Sequence, residues 1–122
     1  MSVLVTLARS AIGRYLIGWV FAQMNFAIPV NRLRETETML AFYHPRPSYA
    51  VHVLLVPKKA IRSLIDLSPG DDVFLADVFR TTQELIKELD LDASGYRLVV
   101  NGGEFQDVPL LHFHLISGES IS

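Results

Sequence analysis

The chain has 122 residues, of which half are hydrophobic and a fifth are charged, with a formal net charge of -2. This length supports one domain with a real core and is too short for two, so we predict a single domain over residues 1–122. The charge argues against a nucleic-acid partner, because no basic surface is available for phosphates, and the absence of cysteine excludes disulfides and thiolate sites.

The first predicted element is an N-terminal helical extension over residues 1–25. Apolar residues recur every three or four positions from Ala8 to Val20, which gives one broad apolar face. The uninterrupted apolar run between Arg14 and Gln23 is well short of the roughly 20 residues that span a bilayer, and no signal-peptide cleavage pattern is present. This face can cover a sheet or a second subunit. Contact of this helix with a membrane surface is a minority alternative, because its polar face carries few basic residues. We expect a cytoplasmic protein.

The next two predicted elements are strands. They cover Thr38–His44 (TMLAFYH) and Val51–Pro57 (VHVLLVP), which are rich in apolar and aromatic residues. The connector PRPSYA contains Pro45 and Pro47, which cannot donate hydrogen bonds to a sheet. We therefore expect strand pairing to stop at this connector.

A helix is predicted to begin at the stretch LSPGDD. Ser68 can cap the free amides, Pro69 suits the first turn, and Asp71 completes a capping-box pattern. Apolar residues then keep a helical period, which predicts one buried face. That face comprises Leu75, Val78, Phe79, Thr82, Leu85, Ile86 and Leu89.

Two more strands are predicted after Gly95, over Tyr96–Asn101 (YRLVVN) and Leu110–Ser117 (LLHFHLIS), with a glycine-bearing loop between them. The predicted fold class is therefore α+β. It has a mainly antiparallel sheet, a long helix packed on one face, and the additional N-terminal helix.

The last predicted strand carries two histidines on one face. Side chains alternate along a strand, so His112 and His114 lie about 6.6–7 Å apart on the same side. A single histidine in an apolar strand is more often an ordinary hydrogen-bonded residue, but two on one face are harder to dismiss. The other two histidines, His44 and His52, flank the proline connector. All four converge if these strands lie side by side.

Three chemistries could use such a cluster. In the first, His112, His114 and His52 hold a metal, although only Asp107 offers a nearby acidic partner, which makes this alternative weak. In the second, a histidine acts as general acid or base near neutral pH. In the third, a neutral imidazole attacks phosphorus while the loop 101–106 supplies hydrogen-bond donors to the phosphate.

The stretch LLHFHLIS resembles the His-φ-His-φ-His-φ-φ motif of the histidine triad (HIT) family, in which φ is apolar. The members of this family are nucleotide hydrolases and transferases. ETMLAFYHPRPSYAVHVLLVPKKAI, SGYRLVVN and Gln106-Asp107-Val108 are similar to further family segments, so the resemblance runs from about Phe26 to Gly118. It implies a HIT-like fold, a homodimer, and a nucleotide or nucleotide-conjugate substrate. We expect no cofactor, and no metal because the sequence signal for a metal site is weak.

The resemblance also implies roles for individual residues. His112 would attack the α-phosphate and become transiently nucleotidylated, while His114 would contact the phosphate oxygens. His52 would support the catalytic group from behind. The substrate-binding residues implied in the same way are Phe42, His44, Asn101, Gln106 and Asp107.

Three positions of the sequence depart from the family pattern. Leu110 stands where the first histidine of the triad is expected, and its loss should weaken positioning more than abolish attack. Asp107 replaces a hydroxyl residue, and an ionised carboxylate there would repel phosphate unless it is turned away or protonated. His44 replaces an acidic residue that grips the ribose hydroxyls, so a preference for adenosine does not follow.

Two functions of different classes are therefore open. The first is a nucleotide phosphoramidase, hydrolase or transferase that works through a covalent His112 intermediate. The second is a binding or regulatory protein that keeps the pocket and has lost turnover, with Leu110 and Asp107 as the sequence evidence. The sequence favours the enzyme.

Overall fold

The computed structural model describes residues 32–121. The predicted N-terminal helix, residues 1–25, lies outside this range. Within residues 32–121 there are five strands and one long helix, with short 3₁₀ turns in the loops. In chain order they are β1 (Arg32–Glu35), β2 (Met39–Tyr43), β3 (Tyr49–Pro57), α1 (Asp72–Glu88), β4 (Arg97–Val100) and β5 (Phe113–Ser120).

The five strands form one antiparallel sheet in the order β1-β2-β3-β5-β4. One face is covered by α1, and the main core lies between them around Met39, Val53, Phe113, Phe74 and Val78. This arrangement confirms the predicted α+β class and the helix packed on one face. The opposite face, called the site face below, carries a smaller apolar cluster of Leu40, Phe42, Leu54, Val56 and Val108.

The start of the helix follows the predicted capping box. The Ser68 amide donates to Asp71 Oδ2 at 3.0 Å, and a 3₁₀ turn over Pro69–Asp71 leads directly into α1. The predicted buried face was wrong at Phe79, which is 57% exposed, whereas Phe74 is 4% exposed. Each residue advances a helix by about 100°, so Phe79 lies about 140° around the axis from Phe74 and points away from the sheet.

Strands β2, β3 and β4 confirm the predicted strands to within two residues. The prediction was wrong at the start of β5, which begins at Phe113 and not at Leu110. The reason is that the Leu111 amide donates to Ile61 O at 2.8 Å, in the loop after β3, and not to a neighbouring strand. Strand β1 was not predicted, because the short charged edge sequence RLRE lacks an apolar alternation.

Among residues 32–121, no helix has both the length and the apolar character that crossing a membrane requires. The only long helix in this range, α1, alternates buried apolar residues with charged ones.

Candidate active site

All four histidines meet at one end of the site face. The ring centroids are 4.4 Å apart for His44 and His52, 5.2 Å for His52 and His114, and 4.9 Å for His112 and His114. The predicted convergence of the strands that carry them is therefore confirmed. We call these four residues the histidine cluster.

The pairing of β3 with β5 brings the cluster together. His52 is opposite Ile116 and Leu54 is opposite His114, so His52 and His114 are diagonal neighbours on one face. His44 immediately follows β2, and its amide donates to His52 O at 2.8 Å. His112 immediately precedes β5 and lies beside His114 with the rings inclined at 65°. The cluster thus joins the neighbouring strands that carry His44 and His52 to the segment with His112 and His114, and His52 and His114 are 62 residues apart in the chain.

His112 is held by the main chain two residues before it. Its Nδ1 lies 2.7 Å from Leu110 O. A carbonyl oxygen can only accept, so Nδ1 carries the proton and donates it, and in the neutral ring Nε2 keeps its lone pair. Burial lowers the pKa of His112, although the Leu110 carbonyl and the charge of Asp107 act in the opposite direction. The ring is therefore neutral, and its unprotonated nitrogen is fixed as Nε2, which is what a nucleophile requires.

A second hydrogen-bond chain sets the protons of His52 and His114. The Ser48 amide donates to His52 Nδ1 at 3.0 Å, which places the proton of a neutral His52 on Nε2. This Nε2 lies 2.9 Å from His114 Nδ1, which must accept. The proton of a neutral His114 is consequently on its own Nε2, where it is available to an anionic oxygen. Neither the Ser48 amide nor the Leu110 carbonyl gives a sequence signal, because both are main-chain groups.

The cluster is held uncharged by burial. Desolvation, reinforced by the charge of His112 and of the other two histidines, lowers the pKa of His114 to about 3. Desolvation and the charge of His44 lower the pKa of His52 to about 4. The pKa of His44 is also lowered, by desolvation first and then by His112. A proton added to any of these rings would create a positive charge that is poorly solvated and close to the other imidazole rings.

His44 is more than 90% buried, and its Nδ1 accepts a hydrogen bond from the Arg46 amide at 2.9 Å. This contact leaves Nε2–H as the group that a neutral His44 can offer to a substrate. A carboxylate at this position would have accepted hydrogen bonds, whereas His44 donates one.

Leu110 packs against the apolar cluster of the site face. Its side chain therefore fits the position as an apolar residue, while its carbonyl holds His112. The hydrogen bond to His112 comes from the main chain of residue 110 and does not require a histidine side chain there.

The remaining predicted substrate residues lie around the cluster with different surroundings. Phe42 is 2% exposed and belongs to the site face. The side-chain amide of Gln106 donates hydrogen bonds to Arg62 O at 2.6 Å and to Val108 O at 2.9 Å, so it holds the loop in place. Asp107 is exposed and near enough for its charge to act on His112. Asn101 is half-buried and directly follows β4. Substrate contact by these residues stays a prediction.

Metal ligation was one of the alternatives left open by the sequence. Within the described range 32–121, no three His, Cys, Asp or Glu side chains are arranged as a metal site.

Comparison with known proteins gives consistent matches. A family model described as HIT domain matches residues 25–121. A HIT-like protein of Chlamydia pneumoniae is 37% identical over 106 residues, which cover 84% of this chain and 94% of the relative. The solved structure of a HIT family hydrolase from Legionella pneumophila is similar with a TM-score of 0.69 and 33% identity, covering 78% of this chain and 87% of that one. A histidine triad nucleotide-binding protein from Candida albicans has a TM-score of 0.71 and 28% identity, covering 86% and 75% of the two chains.

Proposed function

This chain belongs to the HIT-domain family, and on that premise we propose that it is a nucleotide phosphoramidase, nucleotidyl hydrolase or transferase with His112 as its covalent nucleophile. The observation that carries the proposal is the 2.7 Å hydrogen bond from His112 Nδ1–H to Leu110 O, which leaves Nε2 unprotonated. Similar proteins that are named as a hydrolase and as a nucleotide-binding protein support the general activity.

The proposed reaction has two steps at phosphorus. His112 Nε2 forms a bond to the phosphorus atom, and the P–N or P–O bond to the leaving group breaks, after which the leaving group takes up a proton. The modified ring is cationic, with phosphorus on Nε2 and hydrogen on Nδ1, and the Leu110 carbonyl stabilises this charge through the existing hydrogen bond. Water, or another acceptor, then forms a bond to phosphorus while the bond from phosphorus to His112 Nε2 breaks. The proton of the attacking water goes to solvent, the nucleotide is released, and the ring is again neutral.

His114 is proposed as the group that stabilises charge on the phosphate oxygens. Its Nε2–H is a neutral donor because His52 occupies its Nδ1 at 2.9 Å. A neutral donor suits this role across a wide pH range, since the pKa of His114 is lowered to about 3. His52 is a positioning residue that acts through His114.

A binding or regulatory protein without turnover is the second candidate, and one observation favours it. The negative charge of Asp107 acts on His112 and would oppose the approach of a negatively charged phosphate to the nucleophile.

The two candidates are separated by trapping the intermediate. The protein is mixed with adenosine 5′-phosphoramidate, quenched rapidly in acid-free buffer and examined by intact-protein mass spectrometry. The enzyme should gain one nucleotidyl mass, located on residue 112 by fragmentation, and His112→Ala should gain none. His114→Ala serves as the matched variant, because it removes an imidazole from the same cluster and should slow adduct formation without moving the site of attachment.

An adduct that persists in His112→Ala would refute the proposed nucleophile. Saturable binding of adenosine 5′-monophosphate with neither an adduct nor product, across several nucleoside phosphoramidates and dinucleotides, would favour the binding protein.

The chain is further proposed to form a homodimer. Strand β4 is an edge of the sheet, and the exposed side of α1 carries Val73 and Phe79, which are 58% and 57% exposed. An unpaired strand edge and exposed apolar residues on a helix are two features that suit contact with a second copy of the chain. A monomer mass in light scattering would contradict the dimer. Cytoplasmic location stays our expectation.

A further inference from the structure

His44 holds a hydrogen-bond donor that the proposed reaction does not use. Its Nδ1 accepts from the Arg46 amide at 2.9 Å, so the hydrogen of the neutral ring is on Nε2. Although His44 is only 8% exposed, no residue within 32–121 accepts a hydrogen bond from this Nε2. A buried donor without a partner costs free energy, and folded proteins leave few of them. The Nε2–H of His44 is therefore a candidate contact for a bound molecule.

This donor lies close to the position proposed for the phosphate. The rings of His44 and His114 are inclined at 21°, with centroids 6.4 Å apart. The sugar of a nucleotide spans a distance of this size, because its ring separates the 5′-phosphate from the 2′- and 3′-oxygens. A nucleotide whose phosphate is at His112 and His114 can therefore place a sugar oxygen at His44.

His44 is separated from the proposed contact with a second copy of the chain. It directly follows β2, and strands β3 and β5 lie between β2 and the β4 edge. Helix α1, the other part of that contact, packs on the opposite face of the sheet. The proposed dimer therefore leaves the His44 donor in a site formed by one chain.

The other rings of the histidine cluster do not offer an acceptor to the sugar. His52 uses both of its ring nitrogens, on the Ser48 amide and on His114. His114 Nε2 carries a hydrogen, and the lone pair of His112 Nε2 is the one that attacks phosphorus in the proposed reaction. The cluster therefore donates hydrogen bonds to a bound nucleotide and accepts none from its sugar hydroxyls.

We propose that His44 Nε2–H donates a hydrogen bond to the 2′- or 3′-oxygen of the bound nucleotide, and that the site accepts sugars in which this oxygen is an ether or an ester. Hydroxyl, ether and ester oxygens all accept a hydrogen bond, but only the hydroxyl also donates one. The inference rests on the proposed function, because it assumes a nucleotide with its phosphorus at His112. It names the substrate class as nucleotide conjugates that do not need a free ribose diol.

The test compares adenosine 5′-phosphoramidate with four analogues that differ only in the sugar: 2′-deoxy, 3′-deoxy, 2′-O-methyl and 3′-O-methyl. One of the two deoxy compounds should have a kcat/KM about three- to tenfold lower than the parent, because the contacted oxygen is missing. We call this ratio the deoxy penalty. The compound with a methyl group on the same oxygen should stay within about twofold of the parent, since an ether oxygen still accepts.

Three variants test whether His44 is the source of this preference. His44→Phe keeps an aromatic ring without a donor and should abolish the deoxy penalty. His44→Asp exchanges the donor for a charged acceptor, so the parent should become better than the O-methyl compound by about tenfold or more, because only a hydroxyl can donate. His52→Phe is the matched control. It removes an imidazole from the same cluster and should lower kcat/KM for all the compounds by the same factor, which leaves their ratios unchanged.

In an active enzyme, a deoxy penalty that persists in His44→Phe would overturn the inference and leave the proposed function intact. A wild-type penalty for the O-methyl compound as large as the deoxy penalty would do the same. In a protein without turnover, dissociation constants of the corresponding 5′-monophosphates, measured by calorimetry, give the same comparison. A deoxy penalty in binding that His44→Phe removes would then support the inference while the catalytic proposal fails. Equal values for all the compounds in either measurement refute the inference.

Discussion

Acid should destabilise this protein well above the pH at which carboxylates titrate. The pKa values of His52 and His114 are lowered from 6.5 to about 4 and about 3. Between pH 6.5 and 4 the unfolded chain binds a proton at each of these positions and the folded chain does not. The free energy of unfolding is therefore highest above pH 6.5 and falls as the pH falls.

The size of the effect follows from the two shifts. One pH unit corresponds to about 1.4 kcal/mol for each proton, so at pH 5 each histidine costs about 2 kcal/mol relative to pH 7.5. His52 and His114 together cost about 4 kcal/mol, which is large against a typical stability of about 5–15 kcal/mol. His44 and His112 act in the same direction, because their pKa values are also lowered.

Urea unfolding followed by circular dichroism between pH 7.5 and 5 measures this effect. The carboxylates with lowered pKa values, Glu35, Asp71 and Asp77, lose their stabilising contribution only as the pH falls through about 4 and below, so the chosen window reports on histidines. His52→Phe should make the drop between pH 7.5 and 5 smaller by about 2 kcal/mol, whatever it does to stability at pH 7.5. A wild-type stability that is constant to within about 1 kcal/mol, or that rises on acidification, would refute the reasoning.

Two further substitutions test the packing around the site. Leu110→His should lower the free energy of unfolding by about 1–3 kcal/mol, because it buries a polar ring in an apolar cluster, while Leu110→Met should cost less than about 1.5 kcal/mol. Adduct formation at residue 112 should survive both, since the carbonyl is retained, and its loss in Leu110→Met would contradict this. Gly118→Ala should cost about 2–4 kcal/mol, because φ is 82° and an added Cβ would lie 2.7 Å from a side chain of β3. Gly102→Ala, where nothing lies within 4 Å, should change stability by less than about 0.5 kcal/mol, and equal costs for the two glycines would exclude strain as the cause.

The elements with a strong local signal were predicted well. The helix start follows from Ser68 and Asp71, whose side-chain contacts reach only three residues along the chain. Strand β3 follows from a run of apolar residues that remain buried on both faces. The helix start and strand β3 depend on residues that are close together in the chain, so the local sequence pattern is enough to predict them.

The elements that depend on distant partners were predicted less well. β1 forms because its charged residues pair with β2, which supplies the apolar packing that the sequence RLRE lacks. The segment before His112 leaves the sheet because the Leu111 amide bonds to Ile61, fifty residues earlier in the chain. The local sequence does not indicate that β1 pairs with β2 or that Leu111 bonds to Ile61.

The sequence by itself determined the fold class, the long helix packed on one face of an antiparallel sheet, and the resemblance that points to His112 and His114. Only the tertiary structure decided which ring nitrogens carry protons. Those positions are set by the Ser48 amide, the Leu110 carbonyl and the contact of His52 with His114. Main-chain donors and acceptors are the same for nearly every residue type, so their directions at a site become known only when strands distant in sequence are brought together.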